Sequence, residues 1–236
     1  MGHRTLLLIA LAVSACRPTV HGRDDADLAK MRVRMVDEQI AARGVKDPLT
    51  LEAMRTVPRH AFVPPSTAGA DAYGDHPLPI GHGQTISQPY IVAFMTEALG
   101  LRKGAIVLEV GTGSGYQAAV LGQIAERVYS VEILPALADE ARARLGRLGY
   151  RNVQVRVGDG YQGWPEVGPF DGIMVTAAAP RVPEPLTAQL RDGGRLVIPV
   201  GDQSQELMVV TRKGDTFEEK RILPVRFVPM TGKVRQ

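Results

Sequence analysis

The sequence predicts a doubly wound, mostly parallel α/β sheet with helices before it and a β extension after it. Short apolar runs alternate with helical patterns through the middle of the chain. Helical spacing of apolar residues precedes this region, and extended segments around a turn signal follow it. A chain of 236 residues, 44% of them hydrophobic, suits one catalytic domain with short terminal additions.

The first part of this domain is predicted to be helical. Between residues 28 and 42 the apolar positions recur at helical spacing, and Gly44 is typical of a helix end. A second, short helix is expected after Pro48. Residues 57–84 are rich in proline and glycine, so we expect an ordered loop region there that lies over another part of the fold.

The central part alternates helices and strands. A helical pattern begins after Pro89 and ends at Gly100. Five apolar runs then predict strands, at residues 105–110, 128–133, 153–157, 170–175 and 195–200. Helical patterns at 116–125 and 135–148 lie between them. Because uninterrupted apolar runs suit strands that are covered on both faces, this pattern implies right-handed βαβ units in a parallel sheet.

The end of the chain has a different pattern. Residues 206–211 and 216–228 are extended segments, and Lys213-Gly214-Asp215 between them is a hairpin turn signal. These segments predict an antiparallel β extension.

A glycine loop follows the first predicted strand of the central part. Gly111, Gly113 and Gly115 permit positive φ angles and close backbone approach, and the next helix offers unpaired N–H groups to a ligand. A dinucleotide fingerprint has glycine at the first, third and sixth positions, whereas here Tyr116 occupies the sixth. The spacing therefore argues against NAD.

Two acidic residues follow the next two strands. Glu132 lies at the end of the second strand, where a carboxylate can accept both hydroxyls of a ribose. Asp159, in Gly158-Asp159-Gly160, could accept from an exocyclic amine. Either acid alone is equally well a solvated turn residue or a helix cap. Together with the glycine loop, they favour a ligand crevice at the switch point of the sheet.

Two motifs resemble known families. Leu108-Glu109-Val110-Gly111-Thr112-Gly113-Ser114-Gly115-Tyr116 resembles motif I of the S-adenosylmethionine-dependent methyltransferases, whose fold is Rossmann-like. Residues 72–89, ending in Gly83-Gln84-Thr85-Ile86-Ser87-Gln88-Pro89, are similar to the signature of the protein-L-isoaspartate (D-aspartate) O-methyltransferases. This resemblance covers roughly residues 31–232 and does not extend to residues 1–30.

The resemblance implies a protein repair reaction. The methyl group of S-adenosylmethionine would be transferred to the free α-carboxylate of L-isoaspartyl residues, and also of D-aspartyl residues, in damaged proteins. Ser87 would contact the reacting carboxylate, with an N-cap of the following helix as its alternative role. By the same resemblance Glu109 would orient the glycine loop. The residues expected to bind the cosubstrate or close the site are Thr85, Ser87, Gln88, Glu109, Gly111, Gly113, Gly115, Glu132, Asp159, Gly160 and Thr231.

Two other functions compete with this one. The first is another methyltransferase of this fold, acting on oxygen or nitrogen in a small molecule or a nucleic acid. The chain has a net charge of +3 and a pI near 9.1, but its charges are interspersed and no dense basic run is present, so we expect no nucleic-acid partner. The second is a binding module without catalysis, which the retention of Ser87 and the glycine loop disfavours.

Metal and disulfide chemistry have little support in the sequence. Cys16 is the only cysteine, so neither an intrachain disulfide nor a cysteine-based metal cluster can form. His60, His76 and His82 lack ligand spacing, and structural or exposed histidines are the better interpretation. We therefore expect no metal.

The amino terminus resembles a lipoprotein signal. Residues 1–15 contain a cationic start, an apolar run and small residues before Cys16, which would be acylated. Residues 16–27 would form a tether and residues 28–236 the methyltransferase domain, which would place the enzyme in the periplasm. The alternative is translation from Met31 or Met35 and the cytoplasmic location usual for the family.

The anchor can be tested at Cys16. Each buried methylene of an acyl chain contributes about 0.8 kcal/mol, so the native protein should pellet with membranes and be released only by detergent. Cys16→Ser should abolish this behaviour and leave the catalytic domain active. A native protein that is recovered in the cytoplasm with Met31 or Met35 at its amino terminus would contradict the anchor.

Overall fold

The structure, a computed structural model, describes residues 20–235. The predicted signal peptide and the acylation site at Cys16 lie outside the described residues. Within the described part of the chain, no helix is long and apolar enough to cross a membrane.

The first helical segment is longer and less regular than the sequence indicated. Helix α1 (Val20–Arg34) begins within the stretch predicted to be a tether, and it continues into a π-helical segment, Met35–Ile40. There the amide of Ala41 donates to the carbonyl of Val36, five residues earlier. This wider turn buries both Met35 and Ile40 on one side. A 3₁₀ turn (Ala41–Arg43) then ends at Gly44, whose φ is 99°.

Helix α2 and a hairpin follow. Helix α2 (Pro48–Thr56) begins after Asp47, whose side chain accepts a hydrogen bond from the amide of Thr50 at 2.8 Å. The region predicted to be only loop contains short 3₁₀ turns and most of a hairpin of strands β1 (Leu78–Gly81) and β2 (Gln84–Ile86). These strands are too short to show a period of two in the sequence.

The alternating central part has the predicted order. Its elements are α3 (Pro89–Leu99), β3 (Ile106–Val110), α4 (Tyr116–Gly122), β4 (Arg127–Glu132), α5 (Pro135–Arg147), β5 (Val153–Val157), β6 (Phe170–Val175), α6 (Glu184–Thr187) and β7 (Leu190–Val200). Helix α4 ends three residues earlier than predicted, and β7 begins five residues earlier, before a register irregularity against β6. The short helix α6 was not predicted.

The extension is a hairpin of strands β8 (Gln205–Lys213) and β9 (Thr216–Val225). Gly214, with φ of 60°, opens the two-residue turn between them. Strand β9 ends three residues earlier than predicted because the amide of Phe227 donates to the side chain of Gln205 at 2.6 Å. Beyond that point the chain leaves the sheet and pairs with Ala178, whose carbonyl accepts from the amide of Met230 at 2.7 Å.

The seven strands form one sheet in the order β5-β4-β3-β6-β7-β8-β9. The first five strands of this order are parallel, and β8 and β9 are antiparallel to their neighbours. The chain reverses direction across the sheet at β3, so β4 and β6 lie on opposite sides of that strand. The carboxyl ends of these three strands therefore meet at the switch point, where ligands bind in folds of this class. The doubly wound fold with a β extension is confirmed.

Candidate active site

A cavity of about 220 Å³ lies at the carboxyl ends of these strands. Its walls come from the glycine loop, the ends of β4 and β6, the β1–β2 hairpin and the segment after β9. The lining residues include His82, Thr85, Gly111, Gly113, Glu132, Gly160, Thr176, Met230 and Thr231. Six of the predicted site residues thus surround one space, although they are distant in sequence.

All three loop glycines have positive φ angles, including Gly115 at 89°. Gly111 has a φ of 95°, and a Cβ there would lie 2.4 Å from the hydroxyl of Thr176. Gly113 has a φ of 52° and packs beneath Ile80 of the hairpin. Gly115 has a different role, since it is the N-cap of α4 and lies against α5. The first two glycines leave a cradle that a side chain would fill, and Gly115 allows the helices to approach each other.

Glu132 is the acidic residue of this cavity. Its side chain is held by two backbone amides, with Gly113 N–H donating at 2.9 Å and Leu134 N–H at 3.0 Å, one to each oxygen. Only 6% of the residue is exposed. Because an ionised carboxylate has about four acceptor sites, both oxygens can still accept a hydroxyl each. This arrangement fits the two hydroxyls of a ribose.

Glu109 lies behind the glycine loop and does not line the cavity. One of its oxygens accepts from the hydroxyl of Ser130, which also contacts the hydroxyl of Thr112 at 2.5 Å. The other oxygen has no hydrogen-bond partner among the described residues. Burial raises the pKa of Glu109 to about 8; the Ser130 hydrogen bond opposes this shift and the charge of Glu132 adds to it. The carboxyl is therefore protonated at neutral pH, and its contacts agree with a role in orienting the loop.

Asp159 faces the backbone in this structure. Its side chain accepts from the amide of Tyr161 at 3.0 Å and from the amide of Lys233 at 2.7 Å. The capping role that competed with ligand binding is thus present, and contact with an adenine amine stays a prediction. Gly160 does line the cavity, and a Cβ there would lie 2.3 Å from a methyl group of Val110.

A second cavity of about 430 Å³ adjoins the first. Thr85 and Thr176 line both cavities, and Ser87 and Gln88 line only the second of the two. Ser87 is half-buried. Arg226 is the only charged residue among the described residues that line this second cavity. The sequence assigned Gln88 to the cosubstrate, but Gln88 lines the second cavity and not the first.

The N-cap interpretation of Ser87 is wrong. The N-cap of α3 is Gln88, one residue later, and its side chain accepts no hydrogen bond from the helix. Asp75, from the loop before β1, takes the place of a local cap. Its carboxylate accepts from the side-chain amide of Gln88 at 2.7 Å and from the amide of Tyr90 at 3.2 Å. The hydroxyl of Ser87 is therefore not needed to cap the helix.

Sequence reasoning missed three residues of the site. The hydroxyl of Thr176 donates to the carbonyl of Gly111 at 2.6 Å and lies at the junction of the cavities. Thr176 immediately follows β6, and Glu132 is the last residue of β4. The argument from strand ends that selected Glu132 would therefore also have selected Thr176. His82, at the hairpin tip, lines the first cavity and lies 3.5 Å from the carboxylate of Glu140. Asp75 stands within the family signature at residues 72–89, but the sequence assigned it no role.

His60, His76 and His82 each contact a different residue. His60 contacts the hydroxyl of Tyr73 at 2.6 Å, and His76 lies 3.1 Å from the carboxylate of Asp71. Within residues 20–235, no group of three or more histidine, cysteine, aspartate or glutamate side chains could hold a metal ion.

The chain has the fold of the S-adenosylmethionine-dependent methyltransferases, and its switch-point cavity, with a glycine cradle and a carboxylate at the end of the adjacent strand, has the features expected of their cosubstrate site. A sequence profile of the protein-L-isoaspartate(D-aspartate) O-methyltransferases matches residues 30–235. The chain belongs to this family. The predicted family is thereby confirmed.

Relatives and solved structures agree with this assignment. A protein-L-isoaspartate O-methyltransferase of Opitutus terrae is 52% identical over 96% of both chains, and one of Gloeobacter violaceus is 57% identical over 86% of this chain and 99% of its own. A solved protein-L-isoaspartate O-methyltransferase is 32% identical with a TM-score of 0.78, over 87% of this chain and 67% of its own. A Plasmodium falciparum protein described as a β-aspartate methyltransferase was solved with S-adenosyl-L-homocysteine. It is 27% identical with a TM-score of 0.74, over 85% of this chain and 98% of its own.

The relatives also correct one expectation about the amino terminus. The match to the Opitutus terrae protein spans 229 residues, which is more than lie downstream of residue 30. The similarity therefore reaches into the first 30 residues, which the motifs alone left uncovered.

The assignment of Glu132 can be tested by cosubstrate binding. Glu132→Ala removes the acceptor and also frees two backbone amides, so the affinity for S-adenosylmethionine should fall by roughly 1–3 kcal/mol in isothermal calorimetry. Glu52→Ala, an exposed carboxylate on α2, is the matched control and should bind normally. Unchanged affinity of the Glu132 variant would contradict the placement.

The buried carboxyl of Glu109 predicts a pH effect on stability. It ionises near 4.5 in the unfolded chain but holds its proton to about pH 8 in the folded state. Between these values the folded state binds more protons, so its contribution to the free energy of unfolding falls as pH rises.

Glu109→Gln removes this ionisation. The stability of the variant relative to the wild type should therefore increase from pH 5 to pH 8, by on the order of a few kcal/mol in urea unfolding. Glu126→Gln, at an exposed site, should show no such trend. Parallel pH profiles for the wild type and the Glu109 variant would show that the carboxyl is ionised throughout.

Proposed function

We propose that the chain transfers the methyl group of S-adenosylmethionine to the α-carboxylate of L-isoaspartyl residues in damaged proteins, with D-aspartyl residues as a second substrate. The observation that carries this proposal is the junction of the two cavities at Thr85 and Thr176. The first cavity has the features of a cosubstrate site. The second is lined by the hydroxyl of Ser87 and by the cation of Arg226, which suit an incoming carboxylate.

The reaction needs no general base. A carboxylate with a pKa near 4 is ionised at neutral pH, so its oxygen is already a nucleophile. When bound, S-adenosylmethionine supplies a methyl group on a positively charged sulfur. A carboxylate lone pair forms the new oxygen–carbon bond while the electrons of the sulfur–carbon bond stay on sulfur, and no proton moves. The products are a methyl ester and a neutral thioether.

The contribution of the protein is therefore alignment and exclusion of water. Glu132 and the cradle at Gly111 and Gly113 would hold the cosubstrate in the first cavity. The Ser87 hydroxyl can donate a hydrogen bond to one carboxylate oxygen and leave the other free to react. Fixing two reactants in this way replaces a bimolecular encounter and can supply several kcal/mol. Removing water from a carboxylate and a sulfonium also favours a transition state in which both charges are dispersed.

Arg226 gives the second cavity its positive potential. The side chain is exposed, and the remaining lining residues are neutral. A cation at the mouth of a cavity attracts an anionic peptide without contacting the reacting atoms, and salt screens this attraction. This electrostatic bias supports an anionic substrate over a neutral one.

The competing functions have less support. Nucleic-acid methylation would require a basic surface that continues beyond the cavities, and a single arginine lines the second one. A binding module would need no second cavity at the junction. We also propose, from the amino-terminal sequence, that acylation at Cys16 attaches the protein to a membrane. The interspersed charges of the chain support the further proposal that nucleic acid is not a partner.

A methyl-transfer assay tests the function. One peptide with either an isoaspartyl or a normal aspartyl residue is incubated with labelled S-adenosylmethionine, and only the isoaspartyl form should yield a base-labile ester. Ser87→Ala should reduce turnover at least tenfold and leave the cosubstrate affinity unchanged, because the lost contact is to the substrate. Equal methylation of both peptides would contradict the substrate, and full activity of the variant would remove Ser87 from the site.

The role of Arg226 is measured by salt dependence. Exposed charge contacts contribute about 0.2–1 kcal/mol, so Arg226→Gln should raise the KM for the isoaspartyl peptide by a factor of about 1.4 to 5. The variant should also lose part of the salt dependence of kcat/KM. Arg127→Gln makes the same charge change at the exposed amino end of β4 and should behave like the wild type. Identical salt profiles for both variants would show that only net charge matters.

A further inference from the structure

Three donors from two segments of the chain converge on the carboxylate of Asp75. Arg43, which follows the π-helical segment, donates at 2.6 Å. The side-chain amide of Gln88 donates at 2.7 Å and the backbone amide of Tyr90 at 3.2 Å. The guanidinium of Arg43 also lies 3.5 Å above the ring centre of Tyr90. The Asp75 side chain is only 23% exposed and is therefore fixed from several directions.

This carboxylate supplies what helix α3 lacks at its start. The first amides of a helix have no partner within the helix, and a negative charge close to them is stabilising. Pro89 has no N–H, and the side chain of the N-cap residue Gln88 makes no capping hydrogen bond. The first available amide, that of Tyr90, therefore bonds to Asp75. A residue distant in sequence thus caps the helix.

The loop that carries Asp75 is itself held rigidly. The buried guanidinium of Arg59 donates to the carbonyls of Ala72 at 2.9 Å and His76 at 3.4 Å, on either side of Asp75. The side chain of Gln39 donates to the carbonyl of Tyr73 at 3.2 Å. The position of the carboxylate is therefore set by the body of the protein and not by the helix that it caps.

We propose that Asp75 is a positioning residue of the methyl transfer, which fixes Ser87 at the junction of the two cavities. Ser87 immediately precedes the capped turn, and Gln88 links it to the carboxylate of Asp75. Asp75 itself lines neither cavity. This proposal rests on the function proposed above, in which the hydroxyl of Ser87 orients the reacting carboxylate.

A double-mutant cycle separates positioning from mere stability. Asp75→Asn keeps the size of the side chain but removes the charge shared by its three donors. If Asp75 acts through Ser87, Asp75→Asn should lower kcat/KM for an isoaspartyl peptide at least tenfold, and less than twofold when Ser87 is already alanine. The affinity for S-adenosylmethionine should change less than twofold. Losses that multiply in the double variant, or full activity of Asp75→Asn, would overturn the proposal.

Two further variants complete the experiment. Asp71→Asn changes an exposed carboxylate of the same loop and should retain wild-type kinetics. Asp75→Glu keeps the charge and should retain more activity than Asp75→Asn. The glutamate variant also tests the proposal if the asparagine variant does not fold. A glutamate variant no more active than the asparagine variant would contradict the role of the charge.

Hydrogen exchange at the amide of Tyr90 gives a readout that does not depend on activity. Asp75→Asn should reduce the protection of this helix amide at least tenfold, whereas the protection of amides in the sheet should be unchanged. Unchanged protection at Tyr90 would overturn the capping contact. If the wild-type protein does not methylate the peptide but Asp75→Asn still reduces protection at Tyr90, the proposed function is refuted and the capping contact stands.

Discussion

The hydrogen bond from the amide of Gly113 to the carboxylate of Glu132 ties the glycine loop to the end of the neighbouring strand, and the shape of the first cavity depends on it. A loop with positive φ angles has no regular pattern to fix its shape. Here the carboxylate fixes it from one side, and the hydroxyl of Thr176 fixes it from the other, at the carbonyl of Gly111. Both partners are at carboxyl ends of strands, so the sheet sets the shape of the loop.

The geometry also explains why an enzyme of this kind can work with few reactive side chains. Its two reactants carry opposite charges and need neither activation nor a proton relay. The protein has to bring them together at one narrow place, and Thr85 and Thr176 mark that place because they line both cavities. In the proposed function, selectivity resides in the second cavity, where Ser87 and Arg226 would favour an anion.

The sequence predicted the parts of the fold that follow local rules. Apolar runs located the parallel strands, and the spacing of Gly111, Gly113 and Gly115 located the loop between strand and helix. It did not predict Asp75, because a cap supplied from another segment has no sequence spacing to reveal it. The π-helical turn at Met35–Ile40 was also missed, because its apolar positions are compatible with an ordinary helix. Contacts between distant segments depend on the tertiary fold, and a pattern within one segment does not contain them.

The walls of the first cavity come from segments that lie before and after the central sheet in the chain. The hairpin around His82 precedes the central sheet, and Met230 and Thr231 follow its last strand. During synthesis on a ribosome, the parallel strands can therefore pair before the cavity has its second wall. A chain shortened before Met230 would lack part of this wall, so the complete cavity can form only after nearly the whole polypeptide has emerged.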